Sequence, residues 1–81
     1  MNVQVQFFSR LRDVAGVSTR EKEIAQGTTV ADLLALLYSE IPTLREWDKS
    51  ILVAAGLEFV SRDYVLQPGD EISIMPPVQG G

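Results

Sequence analysis

Hydrophobic and polar residues alternate near both ends of the chain. Val3, Val5 and Phe7 are separated by polar residues, and Ile72 and Ile74 alternate in the same way near the C-terminus. A period of two residues is typical of a β-strand that buries one face. Both segments are therefore predicted to be strands. We expect them to lie side by side and parallel in the middle of a sheet, joined by a right-handed crossover.

The middle of the chain has the period of an α-helix. Apolar residues recur three or four positions apart, at Val30, Leu33, Leu34, Leu37 and Ile41. Thr29 can cap the helix start, and Asp32, three residues further on, completes a shortened capping box. Pro42 disfavours helical geometry at the residue before it, so the helix is predicted to end at Ile41.

Three further segments are predicted to be extended. Residues 18–24 are mostly polar, which is typical of a strand at the edge of a sheet. Residues 51–55 are apolar on both faces, so we expect a strand inside the sheet. Residues 57–60 are predicted to be a short strand or a loop.

The remaining segments are predicted to be connections. Residues 10–16 end at Gly16, which suits a turn with positive φ. Residues 43–50 are polar apart from Leu44 and Trp47, and we expect both side chains to dock on the end of the core. Residues 67–70, Gln-Pro-Gly-Asp, have the residue order of a type II turn.

The predicted fold class is α+β. Strands on both sides of a single long helix indicate a mixed sheet of four to five strands packed on one main helix. A length of 81 residues allows one domain at most. We expect the folded domain to occupy residues 1–75 and residues 76–81 to form a flexible, extended C-terminal tail.

Composition narrows the chemistry that the side chains can perform. The chain has no cysteine and no histidine, which excludes disulfides, zinc sites of the Cys/His type, thiol nucleophiles and imidazole bases. A net charge of −4 makes the chain a poor candidate for binding nucleic acid. We find neither a signal peptide nor a membrane-spanning run, and therefore expect a cytoplasmic protein.

The C-terminus is unusual. Pro76 and Pro77 cannot donate backbone hydrogen bonds and hold φ near −65°, so the last strand must end there. The four residues after them reach about 13 Å when extended. Gly80 and Gly81 have no side chains, so the end can enter a narrow channel and present its carboxylate to a catalytic centre in another protein. The alternative is a frayed terminus, but fraying needs no stiff proline spacer.

Three motifs in order span essentially the whole chain. They are Phe-Phe-Ser-Arg-Leu-Arg at residues 7–12, Thr-Thr-Val-Ala-Asp-Leu at residues 28–33, and Pro-Pro-Val-Gln-Gly-Gly at residues 76–81 with Gly-Asp-Glu upstream. In these motifs the chain resembles the MoaD-type small subunits of molybdopterin synthase, which belong to the MoaD/ThiS family of ubiquitin-like β-grasp sulfur carriers. The family usually has Ala-Val-Asn where residues 54–56 are Ala-Ala-Gly, and a turn accepts either because Asn and Gly both adopt positive φ.

The resemblance implies that Gly81, with Gly80 beside it, is the reacting end of the chain. A separate MoeB-type enzyme would adenylate its carboxylate with ATP, and a sulfur donor would convert it to a thiocarboxylate. The tail would then enter a MoaE-type large subunit, in a heterotetramer, and donate sulfur to the pterin precursor of molybdopterin. The carrier itself would bind no cofactor or metal and would not be catalytic alone.

Other functions remain open at this point. Sister carriers in the family supply sulfur for thiamin, tRNA thiolation or cysteine synthesis. The same tail would also suit a ubiquitin-like modifier that is joined to lysines of target proteins. A plain binding module with an incidental tail is a third possibility.

Strand parity predicts an exposed apolar surface beside the tail. If Val3, Val5 and Phe7 face the core, Phe8 and Met75 point to the opposite face, and Phe59 extends the patch. With the tail, the predicted partner interface consists of Phe8, Phe59, Met75, Pro76, Pro77, Val78 and Gln79. The alternative is that Phe8 closes the end of the core. Arg10 and Arg12 either contact an acidic partner or are solvated.

Overall fold

The computed structural model describes residues 1–77 of the chain. In chain order, the elements are β1 (Asn2–Phe7), α1 (Arg10–Ala15), β2 (Thr19–Glu23), α2 (Val30–Glu40), a 3₁₀ helix (Pro42–Ser50), β3 (Leu52–Ala55), β4 (Glu58–Phe59) and β5 (Glu71–Met75). Within these residues, no helix has both the length and the apolar character needed to cross a membrane.

The five strands form one mixed sheet in the order β2-β1-β5-β3-β4. β1 and β5 run parallel in its middle, with Val5 opposite Ile72 and Phe7 opposite Ile74. β2 is antiparallel to β1 at one edge, and β3 and β4 continue the sheet antiparallel on the other side. The predicted central pair of first and last strands is confirmed, and so are the edge position of β2 and the interior position of β3.

The main helix begins and ends where the sequence predicts. The Asp32 amide donates to Thr29 Oγ1 at 3.2 Å, and the Thr29 amide donates to Asp32 Oδ2 at 3.1 Å, which completes the capping box. Ile41 is the C-cap, and its amide donates to the Leu37 carbonyl oxygen at 2.7 Å. These bonds satisfy backbone groups that a helix end otherwise leaves to water.

The core lies between α2 and one face of the sheet, which we call the covered face. Val5 and Ile72 of the central strands are 0% exposed, as are Leu33 and Leu37 of α2. Neighbouring positions on each strand point to the opposite face, which we call the open face. The central strands therefore bury one face under the helix and present the other outward.

One segment predicted to be a connection is a helix. Residues 10–15 form α1, which ends at Gly16 with φ 79°, and the Gly16 amide donates to the Arg12 carbonyl oxygen at 2.9 Å. The positive φ expected at Gly16 is confirmed. Leu11 is 0% exposed and anchors α1 in the core. α1 has only six residues, and a single one of them is fully buried. It therefore has no repeated apolar pattern from which a helix could be predicted.

The second predicted connection is also helical. Residues 42–50 form a 3₁₀ helix, in which Leu44 and Trp47 lie one three-residue turn apart and share a side. Leu44 is buried in the core and Trp47 packs half-buried against it, as expected of both side chains. The sequence predicts a loop here because Pro42 ends α2 and most of the residues that follow are polar.

The turn before β5 fixes the strand that leads to the tail. Gly69 has φ 79°, and the Asp70 amide donates to the Gln67 carbonyl oxygen at 3.1 Å, as in the predicted type II turn. Asp70 Oδ2 accepts hydrogen bonds from the Tyr64 hydroxyl and the Gln67 amide, both at 2.9 Å. The bond to Asp70 raises the pKa of Tyr64. The start of β5 is therefore held by backbone and side-chain bonds.

Candidate functional site

The tail follows β5, one of the two central strands of the sheet. β5 pairs on both sides, with β1 and with β3, and the Phe8 amide donates to the Ile74 carbonyl oxygen at 3.1 Å just beyond β1. Pro76 and Pro77 follow directly and are half-buried. We call these two prolines the tail root. Because neither has an N–H to continue the ladder, β5 ends at Met75, and the tail begins at a fixed place.

Four of the predicted site residues lie outside the described residues. They are Val78, Gln79, Gly80 and Gly81. Their assignment to the reacting end and to the interface therefore stays a prediction. The structure places Pro77, the residue that precedes them in the chain.

The open face carries a row of apolar side chains beside the tail root. Met75 lies opposite Leu52 in the β3–β5 pairing, and Phe8 is the residue after the Phe7–Ile74 pair. Phe59 lies opposite Ala54 on the other side of β3. We call Phe8, Leu52, Phe59 and Met75 the open-face patch.

The members of this patch differ in how much of each side chain is exposed. Phe59 is 69% exposed and Phe8 is 42% exposed, whereas Leu52 and Met75 are half-buried. The predicted outward orientation of Phe8 and Met75 is confirmed, and Phe8 does not close the core. Exposed aromatic and methionine side chains are typical of protein interfaces. The role of these residues at an interface stays a prediction.

Sequence reasoning missed Leu52. Its segment is apolar on both faces, so alternation does not distinguish the side chains that face the core from those on the open face. Leu52 lies directly opposite Met75, and directly opposite residues on neighbouring strands point to the same face of the sheet. Leu52 therefore lies on the open face. Which side chains of an interior strand point outward can be decided only when the register of that strand against its neighbour is known.

A cleft of about 370 Å³ opens next to the tail root. It is lined by Ser9, Arg10, Trp47, Pro76 and Pro77. Arg10 Cζ lies 5.9 Å from the centre of the Trp47 ring, within the range of a cation–π contact. The cleft joins three distant stretches of the chain, so no local motif in the sequence reveals it.

A polar network fastens the 3₁₀ helix beside the core. Asp48 Oδ1 accepts hydrogen bonds from the Tyr38 hydroxyl at 2.6 Å and from Arg62 Nη1 at 3.0 Å. Arg62 Nη2 also donates to the Asp48 carbonyl oxygen at 2.7 Å. The bonds from Tyr38 and Arg62 lower the pKa of Asp48, while burial and the bond to Asp48 raise the pKa of Tyr38. The network joins α2, the 3₁₀ helix and the loop before β5.

Side-chain chemistry within the described residues is sparse. No three acidic side chains among residues 1–77 come together to form a metal-binding group. Burial and the bond to Asp48 account for the raised pKa of Tyr38, and the bonds from Tyr38 and Arg62 account for the lowered pKa of Asp48, so both shifts have structural causes. The candidate site within residues 1–77 is the surface formed by the open-face patch and the tail root.

The fold defines a class of protein. One helix packed on a five-stranded mixed sheet with parallel central strands is the ubiquitin-like β-grasp architecture. A model of the ThiS family matches residues 5–81, and the chain belongs to that family.

Individual relatives and structures agree with this assignment. The molybdopterin synthase sulfur carrier subunit of Chlamydomonas reinhardtii is 35% identical, with 100% of each chain covered. The putative molybdopterin converting factor subunit 1 of Pyrococcus furiosus superposes with a TM-score of 0.87 at 30% identity, covering 96% of this chain and 99% of the other.

Two further solved structures bear on partners and on function. Small archaeal modifier protein 1 of Haloferax volcanii gives a TM-score of 0.82 at 25% identity, over 95% of this chain and 98% of the other. A chain from the complex of subunits 1 and 2 of the molybdopterin-converting factor of Helicobacter pylori gives 0.73 at 27% identity, over 100% of both chains.

Proposed function

We propose that the chain is a sulfur carrier that acts as the small subunit of molybdopterin synthase, with Gly81 as its reacting residue. The observation that carries this proposal is the continuity from β5 through Pro76 and Pro77 into a Gly-Gly terminus. Full-length similarity to a named sulfur carrier subunit supports it. The folded domain, on this proposal, positions the tail and performs no chemistry itself.

Activation makes the terminal carboxylate reactive. A carboxylate is a poor electrophile, so an activating enzyme of the E1-like, MoeB type joins it to the α-phosphorus of ATP and releases pyrophosphate. A donor of sulfur at the oxidation level of sulfide then attacks the carbonyl carbon of the acyl-adenylate, the sulfur loses its proton, and AMP leaves. The product is a C-terminal thiocarboxylate on Gly81. Glycine suits both steps because it leaves the carbonyl carbon unobstructed.

Transfer uses the thiocarboxylate as a soft nucleophile. Its sulfur attacks a carbon of the pterin precursor in the large subunit, and a carbon–sulfur bond forms as a carbon–oxygen bond of the precursor breaks and its oxygen leaves. Water then cleaves the bond between this sulfur and the Gly81 carbonyl, which returns the carrier to its carboxylate form. Gly80 contributes by allowing the chain to lie in a narrow channel.

We further propose that the open-face patch and the tail root bind the large subunit. The interface would consist of Phe8, Phe59, Met75, Pro76, Pro77, Val78 and Gln79, with Leu52 added on the basis of its register. The Helicobacter pylori complex of subunits 1 and 2 supports a partner of this kind. Two carriers on a dimer of large subunits would form a heterotetramer. We also propose a cytoplasmic location, since activation consumes ATP.

Intact-mass spectrometry tests the proposal. The chain is incubated with its activating enzyme, ATP and a sulfur source, and its mass should rise by the difference between a sulfur and an oxygen atom. A chain that lacks Gly81 is the control and should keep both its mass and its fold. Failure of the full chain to gain mass with an enzyme active on its own carrier would overturn the proposal.

A second candidate is a protein modifier, and the similarity to small archaeal modifier protein 1 favours it over a plain binding module. The modifier would form an isopeptide bond between Gly81 and lysines of other proteins. Blots of cell extract would then show higher-mass conjugates that resist reducing agents and disappear when Gly81 is deleted.

Co-purification separates a molybdopterin carrier from its sister carriers by the identity of the protein that captures the tail.

A further inference from the structure

We propose that the cleft at the tail root binds a carboxylate side chain of the large subunit that receives the tail. The cleft is lined by Ser9, Arg10 and Trp47 opposite the two prolines of the root. The inference rests on the proposed function, because it takes the tail-receiving protein as the partner. Four features of the chain support it.

The first feature is the backbone of Ser9. The Leu11 amide donates to the Phe8 carbonyl oxygen at 3.0 Å, so residues 8–11 form a turn with Ser9 in its second position. Ser9 has φ 51° and ψ −131° and is the single non-glycine residue with positive φ among residues 1–77. Glycine adopts this conformation without strain, and non-glycine residues held in it cluster at functional sites.

The hydroxyl of Ser9 is available to a partner. Ser9 is exposed and does not cap α1 with its side chain. A glycine would relax the backbone of the turn but would leave no hydrogen-bonding group at the cleft. At this glycine-like position, serine places a hydroxyl group at the cleft.

The second feature is the state of Arg10. Within the described part of the chain, Arg20 and Lys22 pair with Glu40 and Arg62 pairs with Asp48, but Arg10 forms no ion pair. Arg10 Cζ lies within cation–π range of the Trp47 ring, at 5.9 Å from its centre, and the Arg10 side chain is exposed, so its N–H groups are accessible to a partner. A planar guanidinium with free N–H groups matches a carboxylate through two parallel hydrogen bonds.

The third feature is the distribution of charge. α1 and the 3₁₀ helix, which pack on each other, together carry four Lys or Arg and three Asp or Glu, a net charge of +1. The whole chain has a net charge of −4, so the other residues carry −5. All of this positive charge belongs to α1, since the 3₁₀ helix is neutral overall. The cleft thus opens beside an element of positive net charge on an acidic protein, which favours an acidic partner group.

The fourth feature is continuity with the open-face patch. Ser9 follows Phe8 of the patch, and Pro76 follows Met75. A protein that covers the patch and accepts the tail therefore passes over the cleft. We take its occupant to be an Asp or Glu side chain of that protein, with the carboxylate bound by Arg10 and the Ser9 hydroxyl.

Calorimetric titration with the large subunit encoded in the same genome provides the first test. Arg10→Gln should weaken binding about fivefold to tenfold in about 50 mM salt, and by clearly less in about 500 mM salt. Arg45→Gln is the matched control, because Arg45 also stacks on an aromatic ring, with Cζ 6.0 Å from the centre of Tyr38, but does not line the cleft. The control should change affinity less than about twofold.

Several results would overturn the inference. Equal effects of Arg10→Gln and Arg45→Gln would do so, and so would an effect of Arg10→Gln that does not depend on salt. Both of these outcomes leave the proposed function intact, because the unsubstituted chain still binds. If the unsubstituted chain does not bind the large subunit at all, the proposed function fails, and the assignment of this partner fails with it.

A spectroscopic test observes the cleft directly. The chain has one tryptophan, so labelling with 5-fluorotryptophan gives a single ¹⁹F resonance from Trp47. The resonance should shift on addition of the large subunit, and Arg10→Gln should reduce the shift. An unmoved resonance in a saturated complex contradicts the inference. A shift with AMP or inorganic phosphate but not with the large subunit would instead identify a phosphate site and overturn the assignment of a carboxylate.

Discussion

On the covered face of the sheet, Val5 and Ile72 are 0% exposed, whereas on the open face Phe8 and Phe59 are 42% and 69% exposed. The two faces are built from the same strands and differ by one position along each of them. Because alternate residues point to opposite faces, we expect substitution on the covered face to change stability and substitution on the open face to change partner binding. The difference shows how a small domain can keep a buried core directly beneath an exposed apolar surface.

The largest effect should come from the covered face. Ile72→Ala removes fully buried carbon atoms and leaves a cavity, so the free energy of unfolding should fall by about 2–5 kcal/mol. Ser73→Ala, one position along β5 and on the open face, should change it by less than about 0.5 kcal/mol. Urea denaturation measures both values. Similar losses for the two variants would show that the faces do not differ in this way.

Substitution on the open face should affect binding far more than folding. Phe8→Ala should lower affinity for the large subunit about tenfold or more, because exposed aromatic residues often dominate interfaces. The free energy of unfolding should change by less than about 1 kcal/mol. Val17→Ala is a matched control, since Val17 is 36% exposed and lies outside the patch. If both variants bind equally well, Phe8 does not belong to the interface.

The network at Asp48 should give a smaller, pH-dependent effect. Its hydrogen bonds hold the pKa of Asp48 below the unfolded value, so the network stabilises the fold above that value. This stabilisation is lost as pH falls through the lower pKa of the folded state. Asp48→Asn should cost about 1 kcal/mol near neutral pH, after allowance for solvent screening, and clearly less once the pH is below the folded-state pKa of Asp48. A cost that is constant across this range would contradict the assignment.

The ion pairs at the edge of the covered face should contribute least. Arg20 and Lys22 of β2 both contact Glu40 at the end of α2, and the bond from Lys22 is the main cause of the lowered pKa of Glu40. Glu40→Gln should reduce the free energy of unfolding by about 0.5 kcal/mol in low salt. In about 1 M salt the loss should nearly vanish, because exposed charges are screened. A salt-independent loss would point to packing instead.

Much of the fold is predictable from the sequence because its main elements have regular patterns. Alternation identifies β1 and β5, and the spacing from Val30 to Ile41 identifies α2. The Thr29–Asp32 capping box and the Gly69 turn are predictable because each depends on a few residues that are close together in the sequence. The outward positions of Phe8 and Met75 follow from the same alternation.

Other parts depend on tertiary contacts that leave no local pattern. α1 and the 3₁₀ helix are short, and each has a single fully buried anchor, Leu11 or Leu44. The place of Leu52 in the open-face patch requires the register of β3 against β5. The cleft combines Ser9, Trp47 and the tail root, which are far apart in sequence. These features appear only when the chain is folded.

A single-turnover transfer experiment tests the central claim most directly. The thiocarboxylated chain is mixed with the large subunit and the pterin precursor, and its intact mass is followed over time. We predict that the mass falls by the difference between sulfur and oxygen at the rate at which the precursor gains sulfur, and that Phe8→Ala slows both processes together. A chain that keeps its sulfur while the precursor is converted would contradict the claim.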